Sequence, residues 1–236
     1  MNRLVCTVMV MFISVSCFAQ LGFEMKVGYS TYSMRDLSKF QRLQTTSSIP
    51  VKVTNDFPGN LTGGVSLYYS IHKNVETGVD YTYNNTIGRV HYRDYSGEIG
   101  IDQKAIAHAF SVFTRLTFFE KGNFKLKGTA MLGLWRTRIG INQYLRMGTN
   151  NEQTQFAVVS NNVGITGALE PVYRLNDQTY IGARIGGMLE IPEPLHLKGE
   201  PRATLQYDNG TVISAHWSGF RSELYIGFTM PTYSDY

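Results

Sequence analysis

Cysteine is nearly missing: of 236 residues only Cys6 and Cys17 are cysteine, and both lie in the N-terminal segment before Gln20. If that segment is removed, the remainder has no thiol, which excludes disulfides, thiolate metal sites and a cysteine nucleophile. Such a chain suits export into oxidising surroundings. Proline is scarce, at 7 residues, and none breaks the middle of an alternating segment, where a missing N–H would cost a ladder bond. Charged residues make up 17% of the chain and form no runs. The net charge of +4 therefore gives nucleic-acid binding no support, and export argues against it. Beyond the N-terminus no apolar stretch approaches the roughly 20 residues of a spanning helix. Phosphate-cradling glycine loops, zinc spacings and nucleophile elbows are also missing. None of the 5 histidines belongs to a pair at metal spacing, so no cofactor and no metal site is expected.

The first 19 residues read as a secretory signal: Arg3 supplies the positive start, Leu4 to Ser16 is mostly apolar, and cleavage is expected after Ala19. Lipid attachment at Cys17 is the rival reading. Val15-Ser16-Cys17 fits it loosely, with Ser14 standing where an aliphatic residue is expected. Residues 20–236 then form one domain.

Eight segments of that domain alternate apolar and polar residues. In the first, Phe23, Met25, Val27 and Tyr29 oppose Glu24, Lys26, Gly28 and Ser30. The second sets Leu61, Val65, Leu67, Tyr69 and Ile71 against Thr62, Gly64, Ser66 and Ser70, and the third Val75, Val79, Tyr81 and Tyr83 against Glu76, Gly78, Asp80 and Thr82. In the fourth, Ile106, Phe110, Val112, Leu116 and Phe118 oppose Ala107, Ala109, Ser111 and Arg115. The fifth to eighth place Leu132, Ile165, Ile185 and Leu224 on the apolar face and Lys127, Glu170, Arg184 and Glu223 on the other. Each reaches the 9–11 residues that a tilted strand needs to cross a bilayer.

Connections alternate in length. Tight turns fall at His72-Lys73-Asn74, Glu120-Lys121-Gly122-Asn123 and Asn176-Asp177-Gln178. Long connections are expected at about 34–60, 84–104, 138–157 and 191–212. The pattern predicts an all-β fold: an eight-stranded antiparallel up-and-down transmembrane β-barrel, both termini on the short-turn side. A soluble barrel or sandwich is the competing fold. The polar face argues against it, since small residues with scattered charge suit a narrow lumen and large aliphatics suit lipid. In the first long connection Met34 to Leu43 has helical apolar spacing, predicting a short amphipathic turn.

On this parity six acids point inward, Glu24, Glu76, Asp80, Glu170, Glu190 and Glu223, and six bases, Lys26, Arg115, Lys125, Lys127, Arg184 and Arg221. Glu76, Lys125 and Lys127 fall near the short-turn mouth. Unpaired charge in a narrow lumen is costly, so the rest should pair. The expected lumen network is Glu24, Lys26, Asp80, Arg115, Glu170, Arg184, Glu190, Arg221 and Glu223, closing the barrel as a plug; an ion path lined by charge is the alternative.

One constellation has catalytic form. His216 and Ser218 lie two residues apart, a spacing open to a general base and a nucleophile. The element is similar to the His-x-Ser of outer-membrane lipid A deacylases. Gly219 stands where that family has asparagine, and the downstream acid that would orient the histidine is missing. No catalytic residue is assigned. Trp217 between them reads as an interfacial tryptophan. Arg136 and Arg138 sit at a rim, where they could pair with lipopolysaccharide phosphates.

With alternation, small-residue lumen and four long connections, the domain resembles the outer-membrane β-barrel family of OmpA/OmpX type. The Phe18-Ala19-Gln20 ending looks closest to the small "porin family" barrels of Bacteroidetes. The C-terminus departs from the family's final phenylalanine: after Phe228 and Met230 the chain continues Pro-Thr-Tyr-Ser-Asp-Tyr. The resemblance implies residence in the bacterial outer membrane, termini in the periplasm and four loops outside. It implies contact with outer-membrane lipid and lipopolysaccharide, and a non-enzymatic structural or surface-interaction role. A narrow solute channel and an enzyme acting on lipid A or phospholipid are the alternatives. Neither an extracellular ligand nor an oligomeric state can be read from the residues.

Overall fold

Leu21, Met25, Val27 and Tyr29 stand exposed on one side of the first strand, while Glu24, Lys26 and Ser30 are buried on the other. That inversion, apolar outside and charged inside, repeats around the molecule. The computed structural model describes residues 20–44, 52–95, 97–148 and 150–230. The expected signal, its cleavage after Ala19, and the C-terminal hexapeptide lie outside the described residues.

The elements are β1 (Leu21–Ser30), α1 (Arg35–Gln44), β2 (Lys52–Asp56), β3 (Asn60–His72), β4 (Val75–Arg93), β5 (Gly97–Lys121), β6 (Phe124–Met147), β7 (Asn150–Arg174), β8 (Thr179–Ile191), β9 (His196–Leu197), β10 (Glu200–Thr204) and β11 (Gly219–Thr229). Eight of them close a ring in the order β1-β3-β4-β5-β6-β7-β8-β11. Every pairing is antiparallel, and β1 and β11 shut the ring from Gly22↔Thr229 to Ser30↔Arg221. The fold is thus an eight-stranded up-and-down transmembrane β-barrel. Closure leaves no open edge in the ring, which a wall surrounded by lipid requires.

Large side chains encircle the outside: Leu67, Val79, Phe110, Val112, Leu132, Leu134, Ile165, Leu169, Ile185, Leu189 and Leu224 are all exposed. A continuous apolar surface of that size marks contact with an apolar medium. Inside, tyrosines fill the space that glycines leave. Gly22 faces Tyr68 across the ladder, Gly182 faces Tyr225 and Gly227 faces Tyr180. A Cβ added at any of these glycines would run into the opposing ring.

The three tight turns stand where expected, but two of the long connections do not. Most of 84–104 and 138–157 is strand: β5 and β7 have 25 residues each. At ~3.3 Å per residue each is ~80 Å long, well beyond the ~25 Å apolar band of such barrels. The period-two pattern continues with its sign reversed where both segments leave the belt, and fades toward their outer ends. Ala105, Ala107, Ile139, Ile141 and Val158 point inward and are buried, while Lys104, Arg136 and Arg138 point outward and are exposed. The wall has left lipid for water, so polar residues face out and the interior becomes mainly apolar, with Asn84, Gln103 and Ser160 buried among the apolar side chains.

That core is capped by the other two long connections. The first holds α1, as its spacing predicted, and Met34, Leu37 and Gln41 are buried beneath it. In the last, β9 pairs with β7 and β10 with β9, and bridges join Pro194 to Ser214 and Gln206 to Val212. Leu195, Tyr207, Ile213, Ala215 and Trp217 descend from it into one apolar cluster with Met34, Leu37, Phe57 and Trp135.

Candidate functional site

The lumen below this cap holds the predicted charges. Arg115 on β5 is fully buried and serves three strands. Its Nη1 and Nη2 donate to Glu24 Oε1 and Oε2 at 2.6 and 2.7 Å. Its Nε lies 3.2 Å from Glu170 Oε2, and Nη1 lies 3.3 Å from Glu76 Oε2. Arg184 on β8 is the second hub. Its Nε donates to Glu170 Oε1 at 2.6 Å and its Nη1 to Glu223 Oε2 at 3.0 Å. Lys26 Nζ closes the system at 2.7 Å from Asp80 Oδ2 and 3.4 Å from Glu223 Oε2.

Neutral donors satisfy the remaining carboxylate lone pairs. Tyr180 OH donates to Glu24 Oε1 at 2.8 Å, Tyr225 OH to Glu170 Oε2 at 2.8 Å, Thr129 Oγ1 to Glu170 Oε1 at 2.5 Å, and Ser66 Oγ to Asp80 Oδ2 at 2.7 Å. Buried charge is tolerable only when paired and hydrogen-bonded on every side. The tyrosine hydroxyls lay hidden in the parity reading, where inward Tyr68, Tyr180 and Tyr225 had no role. Their even or odd position on each strand was the available signal.

Two of the nine network residues depart from the expected pairing. Among the described residues neither Glu190 nor Arg221 makes an ion pair. Glu190 accepts from Asn162 Nδ2 at 2.6 Å and from the Trp217 backbone N–H at 2.5 Å. The Arg221 guanidinium lies over Trp135, 4.4 Å from the ring centroid. Both sit where the network meets the apolar cap, so amide donors and an aromatic face replace opposite charges. At the short-turn mouth Lys127 pairs with Glu76 at 2.6 Å, and Lys125 turns to Glu120 at 3.1 Å.

The network leaves little room. A cavity of about 20 Å³ lies between Lys26, Asp80, Trp135, Arg184, Arg221 and Glu223, enough for about one water. A vestibule of about 400 Å³ opens at the short-turn end, lined by Glu76, Lys125, Lys127, Tyr68 and Tyr180. Above the network Trp217 is fully buried; its Nε1 donates to Thr137 Oγ1 at 2.9 Å, and its ring stacks 6.3 Å from Trp135. Trp217 is therefore an interior residue and not an interfacial one. It shares the odd parity of Arg221, Glu223 and Tyr225, which points it inward.

His216 and Ser218 precede β11 and do not lie on it. The orienting acid missing from the downstream sequence is supplied from α1: Asp36 Oδ2 accepts from His216 Nε2 at 3.3 Å. Ser218 Oγ meanwhile accepts the Glu190 backbone N–H at 3.0 Å, so serine and histidine are each bonded elsewhere. Asp36 Oδ2 also accepts the Ser214 N–H at 3.1 Å, and the Asp36 carbonyl accepts from Tyr207 OH at 2.6 Å. Burial, reinforced by Asp36, pushes the Tyr207 hydroxyl up to about 12. These bonds clamp α1 to the last connection. The other histidines are scattered: His72 at a short turn, His91 on Glu98, His108 on Tyr81 and His196 in β9. Among the described residues no three potential metal ligands cluster.

A closed ring, an apolar belt and a filled lumen define a small transmembrane β-barrel. No protein-family model and no curated protein matches the chain. Solved outer-membrane barrels are similar in fold. The outer-membrane protein OprG from Pseudomonas aeruginosa is 13% identical, covering 90% of this chain and 94% of its own, with a TM-score of 0.43. Neisserial surface protein A is 13% identical, covering 90% and 97%, with a TM-score of 0.41. Ail, the attachment invasion locus protein of Yersinia pestis, is 11% identical, covering 89% and 98%, with a TM-score of 0.36. The likeness is one of fold alone.

Proposed function

We propose that this chain is a non-enzymatic integral protein of the bacterial outer membrane, closed to solutes, that presents its long-connection end as a structured surface for interaction. One observation carries the reading: the lumen is occupied from Glu76 to Trp217, first by hydrogen-bonded ion pairs and then by an apolar cap. A conducting pore needs a continuous aqueous path, and eight strands enclose just enough room for side chains.

Three tight turns at one end, and at the other two long connections and the extended β4–β5 and β6–β7 hairpins, support an orientation with the termini in the periplasm and these longer extensions outside. The expected secretory signal supports export, and its Phe18-Ala19-Gln20 ending supports membership of the Bacteroidetes "porin family" barrels. Lipid and lipopolysaccharide are the surrounding partners. In the catalytic alternative the Asp36–His216 pair would serve Ser218, but among the described residues no hydrogen bond joins His216 to Ser218, and a nucleophile needs its base within hydrogen-bond reach.

Proteoliposome swelling in arabinose and sucrose tests the closed reading, with a general porin as positive control; the reading expects no swelling above empty vesicles. Deacylation of lipid A or phospholipid by the same sample, abolished by Ser218→Ala, would replace it with the enzyme reading.

A further inference from the structure

The outer wall changes character where β5 and β6 leave the apolar belt. Phe110 and Leu134 face each other at its edge, both well exposed. Moving away from the belt, the next outward-facing cross-strand pairs are His108↔Arg136, Ile106↔Arg138 and Lys104↔Gly140. Lys104, Arg136 and Arg138 are exposed. Opposed side chains on neighbouring strands are ~5 Å apart and successive same-face residues ~6.6 Å apart. Three permanent cations therefore lie within about 15 Å of one another, directly above the belt.

Among the described residues none of the three is in an ion pair. The same wall is balanced farther out: Arg89 Nε meets Asp102 at 2.6 Å, and Glu98 meets His91 at 3.1 Å and Arg146 at 3.6 Å. At the belt's edge these three side chains leave positive charge unpaired. His108 there donates to or accepts from Tyr81 OH at 2.8 Å, an aromatic pairing of the kind that marks a membrane interface.

We propose that Lys104, Arg136 and Arg138 form a binding site for the phosphate groups of a glycolipid in the surrounding leaflet, whose acyl chains lie on Phe110 and Leu134. Two guanidinium forks spaced two residues apart on one strand suit bidentate capture of phosphate oxygens, and the lysine adds a point charge. Continuity with the belt selects a lipid over a soluble anion, because headgroup and chains are then both accommodated. The site rests on the outer-membrane reading above, which supplies a phosphorylated leaflet at this rim.

Native mass spectrometry of the folded protein in non-ionic micelles tests the site, with bisphosphorylated lipid A, dephosphorylated lipid A and inorganic phosphate as separate probes. The protein and the R146Q variant, changed on the balanced row, should retain bisphosphorylated lipid A. The triple variant K104Q/R136Q/R138Q should bind it at least tenfold more weakly, and dephosphorylated lipid A should bind the unaltered protein as weakly. The single variants R136Q and R138Q, each altering one exposed side chain, give smaller losses of the same sign. Equal binding by the triple variant, or equal binding of dephosphorylated lipid, overturns the proposal. So does displacement of the lipid by millimolar inorganic phosphate, which would make the patch a soluble-anion site. Binding in micelles does not depend on cellular location, so a negative result leaves the outer-membrane reading standing. That reading fails separately, if no heat-modifiable band is found in the membrane fraction.

Discussion

Arg115 and Glu24 are joined by two parallel hydrogen bonds of 2.6 and 2.7 Å, although 91 residues separate them. Their strands are three places apart in the ring, so the pair ties one side of the lumen to the other. Arg115 also serves Glu170 and Glu76. Replacing it takes the bidentate partner from Glu24, while Glu170 keeps Arg184 and Glu76 keeps Lys127.

Arg115→Met should therefore destabilise the folded barrel by ~3–5 kcal/mol, the usual cost of removing one partner from a buried pair. Adding Glu24→Gln should cost less than the sum of the two single changes, because the stranded carboxylate is removed with its partner. Urea titrations of folding into lipid vesicles read both values. A loss under ~1 kcal/mol for Arg115→Met would mean that water fills the lumen and screens these charges.

The 2 tryptophans, Trp135 and Trp217, are both buried inside the wall. Brominated acyl chains should therefore leave most of the protein's tryptophan fluorescence unquenched. A Leu134→Trp variant should add a strongly quenched component, since Leu134 faces the belt. Strong quenching of the unaltered protein would place Trp217 at the lipid interface, as its sequence setting first suggested.

The charges at the far end of β5 should respond to acid. The His91 hydrogen bond holds the Glu98 carboxyl below its ordinary value of 4.5, with help from Arg146. A depressed carboxylate contributes stability that is present above its unfolded value and lost as pH falls through the folded one. The paired ends of β4 and β5 should thus become more open to pepsin as pH drops below about 4.5, the reference value of Glu98. Glu98→Gln should be more open at pH 5 and lose this acid step. An unchanged acid step in Glu98→Gln would assign it to another group.

The belt was legible because lipid imposes a local, binary rule: each strand states its own parity, and Met25 and Val27 against Glu24 and Lys26 suffice to read it. The amphipathic spacing of Leu37, Phe40 and Leu43 foretold α1 on equally local grounds. Beyond the belt the rule reverses. Ala105 and Ala107 turn inward while Lys104 turns outward, so a pattern searched for large residues outside and small polar ones inside reads as loop. Pair identities were less legible still. Which acid meets Arg115, or that Asp36 from α1 reaches His216, depends on the stagger of strands around the ring and on how α1 docks. No local spacing records either. Glu190 shows the limit: parity placed it in the lumen, but only the fold shows that Asn162 and Trp217 satisfy it in place of a cation.

Planar-bilayer recording of the purified, folded protein tests the closed lumen. The unaltered chain should give no steady conductance above the bare membrane. Short, irregular openings should appear when Arg115 and Arg184 are both replaced by alanine, since the two hubs of the plug are then gone. A stable, large conductance from the unaltered protein would contradict the closed lumen.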